Sequence, residues 1–172
     1  MFLNYFKDFS TKKIVKNSLS NVKHLTTDGL IKTVGIVFDE TYFYEREALV
    51  QELIQNGIEE NNIKVLVYKD KIKKNETFEY PVFSHKDLSW HATFDKREVN
   101  DFIKEPFDLL INYYDTEKVA LLLVSHLSKA GFKVGFTSID KRLNHFMINT
   151  NAENYKVFMD ELFKYLKILN KL

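Results

Sequence analysis

The sequence predicts a three-layer α/β/α fold around a mostly parallel sheet of five or six strands. Short continuous apolar runs rich in β-branched residues indicate strands buried on both faces. Segments of helical periodicity separate these runs, as expected where helices connect parallel strands. The same order of strand, polar turn, helix and glycine occurs twice along the chain. The predicted strands are 33–39, 63–68, 107–114, 132–137 and 144–149.

Helices are predicted between these strands and after the last one. Asp39 or Thr41 is expected to cap the first of them, which Gly57 ends as a left-handed C-cap. The second unit repeats this pattern, with Asp115 or Thr116 as the cap and Gly131 at the end. A final helix, capped by Thr150 or Asn151, carries an apolar stripe from Tyr155 to Leu169.

The expected strand order is 3-2-1-4-5, with residues 78–83 counted as a short third strand and a sixth strand at the edge, as in Rossmann-like or flavodoxin-like sheets. A chain of 172 residues fits one domain, which we take as residues 1–172. Residues 1–25 are expected to form an N-terminal helical extension. Residues 70–105 are expected to form an irregular insertion, because they are longer than a standard connection.

Composition excludes several functions. The chain has no Cys, which excludes disulfides, thiol catalysis and Cys-based metal sites. A net charge of +1 lacks the basic excess of a nucleic-acid-binding domain, so no nucleic acid is expected as a partner. The longest apolar runs fall far short of the roughly 20 residues of a membrane span, and the N-terminus lacks the order of a signal peptide. A cytoplasmic protein is therefore expected.

Three segments of the sequence resemble those of a known group of proteins. They are FDLLINYYD at 107–115, AGFKVGF at 130–136 and MDELFKYLKIL at 159–169. With the high Lys, Asn, Ile and Phe content, they resemble a family of small uncharacterised bacterial proteins, from flavobacteria and their relatives, with a domain of unknown function. The resemblance covers the chain from about Asn21 onward. It supports the α/β fold and implies no activity.

Acidic turns supply the candidate ligand-binding residues. Neither of the turns that follow strands 33–39 and 107–114 contains glycine, which argues against a nucleotide phosphate cradle. In a doubly wound sheet these turns adjoin the switch-point crevice, where carboxylates can hold Mg²⁺ or accept a phosphoryl group. The haloacid-dehalogenase and response-regulator patterns are matched only in part, and the competing interpretation is that the acids cap helices. The candidates are Asp39, Glu40, Tyr114, Asp115 and Asn149.

Two histidines are weaker candidates, for a metal. His85 and His91 have a spacing that zinc tolerates, but no Cys pair or HExxH helix accompanies them. The sequence points to no particular cofactor.

The N-terminus suggests a contact surface. Residues 1–25 hold five lysines against one aspartate, a net of +4, and large apolar side chains at Phe2, Phe6 and Phe9. Such a segment could contact a protein or an anionic membrane surface, or pack on the domain with its lysines in solvent.

Three functions are consistent with the sequence. The favoured one is a binding or interaction module of unknown ligand, because no strong catalytic motif is present. The alternative is an enzyme that uses the acidic crevice at the ends of the parallel strands, with or without a divalent metal. A further alternative is a peripheral membrane protein or complex subunit that binds through its N-terminus.

Overall fold

A computed structural model describes residues 12–15, 17 and 29–172 of the chain. Within residues 29–172 six strands form one all-parallel sheet in the order β3-β2-β1-β4-β5-β6, which confirms the predicted fold class and strand order. The strands are β1 (Val34–Asp39), β2 (Ile63–Tyr68), β3 (Val82–Phe83), β4 (Leu109–Tyr113), β5 (Phe132–Phe136) and β6 (Phe146–Ile148).

Helices cover both faces of the sheet. We number them from the first one after β1: α1 (Arg46–Gln55), α2 (Arg97–Lys104), α3 (Val119–Leu127) and α4 (Tyr155–Ile168). α1 contacts α4, and α2 contacts α3. Alternation along β4 assigns the faces, because Tyr113 packs on Phe158 of α4 whereas Asn112 bonds to Ser125 of α3.

β1 and β4 form the centre of the sheet because both are apolar on both faces. Every residue of β4 is buried, and in β1 only the last, Asp39, is partly exposed. They pair in parallel with Val34 opposite Leu109 and Phe38 opposite Tyr113. The carboxyl ends of β1 and β4 therefore lie side by side, at the same end of the sheet.

Gly57 ends α1 as predicted. Its φ of 95° is left-handed, and the amides of Gly57 and Ile58 donate to the carbonyls of Ile54 and Leu53. This is the Schellman pattern. The prediction for Gly131 was wrong: α3 ends at Leu127 with Ser128 as its C-cap.

The segment 70–105 contains more regular structure than an irregular insertion suggests. It includes the two-residue edge strand β3, a short 3₁₀ turn over His85–Asp87 and helix α2. Ser84 and Asp87 form a capping box around that turn, which fixes the chain as it leaves the sheet. Two stretches of this segment have no helix or strand: residues 70–81, before β3, and residues 88–96, before α2.

Candidate functional site

The carboxyl ends of β1 and β4 form the topological switch point. The chain leaves β1 toward α1 on one face of the sheet and leaves β4 toward α3 on the other face. In open α/β sheets, ligands bind in the crevice that such divergent connections create. The side chains that follow these two strands are therefore the first to consider.

Asp39 is held in a fixed orientation at the end of β1. Its Oδ1 accepts hydrogen bonds from the backbone amide of Thr41 at 3.0 Å and from the Thr41 hydroxyl at 2.6 Å. Its Oδ2 lies 2.8 Å from Nζ of Lys118. Asp39 thus closes a local turn on one side and forms an ion pair with the start of α3 on the other.

Lys118 is a site residue that the sequence analysis missed. Its ammonium group also lies 3.1 Å from Oδ1 of Asp70 and donates to the Thr41 hydroxyl at 2.6 Å. The ring of Tyr68 lies 4.9 Å below it. Lys118 is the N-cap of α3, where the helix dipole disfavours a cation, so the two carboxylates and the ring must offset that cost.

Asp39, Asp70 and Lys118 form one group of charged side chains. Glu40 belongs to a second charged group, which lies beside it. One of its oxygens lies 3.2 Å from Nη1 of Arg46, and the other lies 3.3 Å from Nζ of Lys69. Lys69 also donates to Glu76 at 2.8 Å. The hydrogen bond to Glu76 raises the pKa of Lys69 against the opposing effect of burial, and the same bond lowers the pKa of Glu76.

Aromatic rings flank these two cations as well. The Arg46 guanidinium lies 4.3 Å from the centre of the Tyr80 ring, and the Lys69 ammonium lies 4.8 Å from the Phe78 ring. Arg46, Lys69 and Lys118 are therefore each placed between carboxylates and an aromatic face. These contacts on two sides orient all three side chains.

A cleft of about 460 Å³ opens beside the second group. Its walls include Glu40, Arg46, Lys69, Glu76, Phe78 and Tyr80. This volume falls within the range of pockets that take small molecules. We call it the Lys69 cleft.

The other sequence candidates have different neighbours. Asp115 accepts a hydrogen bond from the backbone amide of Ala152 at 2.9 Å, which ties the loop after β6 to β4. Asn149 accepts from the Thr137 hydroxyl at 3.1 Å. Of the five candidates, Asp39 and Glu40 belong to the charged groups at the end of β1, whereas Asp115 and Asn149 connect strands on the other side of the switch point.

Tyr114 lies in the core. It is 1% exposed, and its hydroxyl is 2.6 Å from the Ser125 hydroxyl. Burial, the largest influence, raises the pKa of Tyr114 well above the usual value of a phenol. Strand alternation explains this placement, because Tyr114 and Asn112 point to the α3 face whereas Tyr113 points to the α4 face.

The expected helix caps were wrong. The N-cap residues are Glu45 for α1, Lys118 for α3 and Asn154 for α4, and none of the three makes a side-chain capping bond. The connections run several residues past each strand before the helix begins. Asp39 and Asp115 therefore lie too early in the chain to cap, and they bond to Thr41, Lys118 and Ala152 instead.

The histidine candidates have no metal-binding neighbourhood among the described residues. Within that part of the chain, no group of three or more His, Cys, Asp or Glu side chains is close enough to hold a metal ion. His85 belongs to the 3₁₀ turn after β3, and the backbone amide of His91 donates to the Ser89 hydroxyl.

The N-terminal candidates Phe2, Phe6 and Phe9 lie outside the described residues. The helical residues 12–15 and 17 lie nearby in sequence. Val15 is fully buried in the core, and Lys12 forms an ion pair with Glu117 at 3.4 Å. In the part of the chain that the structure describes, no helix combines the length and apolar character needed to cross a membrane.

A buried polar chain lies under α3, and the sequence analysis did not predict it. Ser125 donates to Oδ1 of Asn112 at 2.7 Å, and Nδ2 of Asn112 donates to Asn144 at 2.7 Å. The Ser125 hydroxyl has one proton and two acceptors within reach, Oδ1 of Asn112 and the Leu121 carbonyl at 3.0 Å, so we infer that Tyr114 is the donor in its contact with Ser125. The available signals were an Asn inside an apolar strand and a Ser inside an apolar helix, both in positions that the periodicity assigns to the core.

Lys133 extends this buried polar region. Its Nζ donates to the carbonyls of Ser125 at 2.7 Å and Ser128 at 2.9 Å, so the ammonium satisfies the last turn of α3. Burial, together with the nearby Lys129, lowers the pKa of Lys133 to about 8. This cation explains why α3 ends without a left-handed glycine.

Comparison with known proteins identifies a family and no individual relative. Neither the curated proteins nor the solved structures contain a match to this chain. A family model described as a family of unknown function, DUF6913, matches residues 7–169. The match takes in every strand of the sheet, helices α1–α3 and all of α4. The chain therefore belongs to the DUF6913 family.

Proposed function

We propose that this protein is a small-molecule-binding module whose ligand occupies the Lys69 cleft. The observation that carries the proposal is the cleft itself, about 460 Å³ in volume, beside the switch point of a doubly wound sheet. Glu40, Lys69 and Arg46 come from the ends of strands and the start of a helix, where the fold fixes their backbone, whereas Glu76 comes from the connection between β2 and β3.

The composition of the cleft supports this proposal. Arg46 and Lys69 offer charged donors, Glu40 offers an acceptor between them, and Phe78 and Tyr80 offer ring faces. Small-molecule sites combine apolar walls with a few placed polar groups in this way. A ligand with one charged group and one planar or apolar group would use both kinds of surface.

The enzymatic alternative is favoured by a specific contact at Asp39. The Thr41 hydroxyl lies 2.6 Å from both the Asp39 carboxylate and the Lys118 ammonium. A hydroxyl between a proton acceptor and a cation is an arrangement that acid–base chemistry uses. This alternative predicts that a bound compound is chemically changed by the wild-type protein and left unchanged by Asp39→Asn.

Contact with a protein or membrane through Phe2, Phe6 and Phe9 stays a prediction, as do the cytoplasmic location and the expectation of no nucleic-acid partner. The buried Val15 and the Lys12–Glu117 pair favour packing of residues near 12–15 on the domain. A vesicle-sedimentation assay with anionic lipid tests the membrane contact.

A thermal-shift screen with nucleotides, sugars, carboxylates and divalent metals tests the proposed function. A binder at 100 times its dissociation constant should stabilise the fold by about 2.7 kcal/mol. Lys69→Met should abolish that shift. Lys164→Met is the matched control, because Lys164 also pairs with a glutamate but lies on the exposed side of α4. A shift that survives Lys69→Met, or a panel without any binder, contradicts the proposal.

A further inference from the structure

We infer that the ligand of the Lys69 cleft carries an oxyanion, a carboxylate or a phosphate, and that Glu76 competes with this group for Lys69. The inference rests on the proposed function, since it names the chemistry of the ligand at that same site. It follows from where the charged residues of the cleft are attached to the fold.

The two cations of the cleft are attached to regular elements. Arg46 is the first residue of α1, Lys69 directly follows β2, and Glu40 directly follows β1. Both cations bind the one carboxylate of Glu40, which lies between them at 3.2 and 3.3 Å. The second carboxylate partner of Arg46 is Glu47 of the same helix, whereas the second partner of Lys69 comes from another part of the chain.

The connection between β2 and β3 supplies the second anionic partner of Lys69. Glu76 binds Lys69, and Glu79 of the same connection also lines the cleft. This connection has no helix or strand of its own, and Glu76 is held locally by a hydrogen bond from the backbone amide of Lys73 at 3.1 Å. The Glu76 carboxylate can move without breaking the sheet.

The Lys69–Glu76 ion pair is weak enough for a ligand to replace. The side chains of Lys69 and Glu76 are 21% and 28% exposed, so solvent screens the attraction. Ion pairs that solvent reaches are worth at most about 1 kcal/mol. An oxyanion that reached Lys69 would keep the charge balance and could add contacts that a single glutamate does not make.

Arg46 gives a second reason to expect an oxyanion. Each of its two terminal nitrogens carries two N–H donors and has one carboxylate contact, Nη1 with Glu40 and Nη2 with Glu47. A guanidinium is suited to planar bidentate oxyanions, and Arg46 does not use its full set of terminal donors here. The centre of the Tyr80 ring lies 4.3 Å from the guanidinium carbon.

Calorimetric titration at constant ionic strength tests the inference, with inorganic phosphate and malonate as separate probes. Glu76→Gln should tighten binding of at least one probe by about two- to fivefold, the factor expected for removal of a competing solvent-exposed ion pair. The probe that responds identifies the oxyanion. Glu161→Gln is the matched control, because it also releases a surface lysine, Lys164, and should leave the affinity unchanged. Lys69→Met should remove binding in the Glu76→Gln background.

The outcomes separate this inference from the proposed function. Unchanged or weaker binding of both probes by Glu76→Gln overturns the inference. If a neutral or cationic compound binds in a Lys69-dependent way while neither probe binds Glu76→Gln, the cleft is a binding site and only the oxyanion assignment fails. If no compound binds in a Lys69-dependent way, both proposals fail.

Discussion

The ammonium group of Lys118 lies 2.8 Å from Oδ2 of Asp39 and joins the two connections that diverge at the switch point. Asp39 ends β1, and Lys118 is the residue before α3. Their side chains are 10% and 16% exposed, so the pair is shielded from most solvent screening. The contact fixes the start of α3 against the central strand of the sheet.

Asp39→Asn should destabilise the protein by about 1–3 kcal/mol, between the cost of an exposed ion pair and that of a fully buried one. The amide oxygen of Asn can still accept from the Thr41 backbone, so the turn remains. Lys118, however, loses its closest carboxylate. Urea denaturation measures the difference.

Asp70→Asn is the matched control for this contact. Asp70 also pairs with Lys118, at 3.1 Å, but its side chain is 44% exposed, so its removal should cost less than about 1 kcal/mol. Equal losses for the two variants would show that burial of the Asp39 pair contributes nothing.

Leu110→Ala should cost about 2–5 kcal/mol, because it removes a large side chain from a close-packed site and leaves a cavity. Leu110 is fully buried in the central strand β4. Leu30→Ala, at a position 54% exposed, should change the free energy of unfolding by less than about 0.5 kcal/mol. A loss under 1 kcal/mol for Leu110→Ala in a denaturant titration would mean that β4 tolerates cavities unusually well.

The succession of apolar residues along the sequence predicted the sheet, because the buried strands are continuous apolar runs. β1 and β4 could not be mistaken for solvent-facing strands. The sequence also predicts six core residues, of which Val119 is only partly buried. The other five are buried: Leu109, Leu110, Ile111, Leu122 and Leu123. β3 was harder to predict because two residues, Val82 and Phe83, carry no periodicity. Its pairing depends on β2, which lies more than a dozen residues earlier in the chain.

Two of the acidic side chains in the charged groups at the end of β1 were identified from the sequence, whereas the cations that pair with them were not, and the role of these residues as a binding site stays a prediction. Asp39 and Glu40 were identifiable because they follow a buried strand. Lys118 and Lys69 were not, because a lysine in a connection usually points to solvent, and only the packed structure shows that acids surround these two. Tyr114 shows the converse error, since its strand position directs its side chain into the core.

Ser125→Ala should cost more than Tyr114→Phe. Loss of the Ser125 hydroxyl leaves both the Tyr114 hydroxyl and Oδ1 of Asn112 without a partner in the core, at about 1–3 kcal/mol for each group. Tyr114→Phe leaves Ser125 bonded to Asn112, so about 1 kcal/mol is expected. Chemical denaturation of both variants gives the order. The reverse order would contradict the central place of Ser125 in this buried polar chain.

The stability of the wild-type protein should rise between pH 7 and pH 9 because of Lys133. Burial lowers the pKa of Lys133 to about 8 in the folded state, against about 10.4 for an unfolded chain. In this window the unfolded state binds more protons than the folded state, so stability increases with pH by about 1 kcal/mol. The contribution is complete above the unfolded pKa and is lost as the pH falls through 8.

Buried tyrosines set the upper limit of this effect. Burial is the main cause that raises the pKa of both Tyr113 and Tyr114, so above about pH 10 the unfolded chain releases phenol protons that the folded state retains. Stability should therefore fall again at high pH, and the maximum should lie near pH 9–10.

Lys133→Met should remove the rise between pH 7 and 9 while it keeps the fall above pH 10. Lys129→Met, at an exposed position, should keep both features but move the rise to slightly higher pH, because Lys129 contributes to the lowered pKa of Lys133. If Lys133→Met shows the same rise as the wild type in urea titrations across this range, another group is responsible for it.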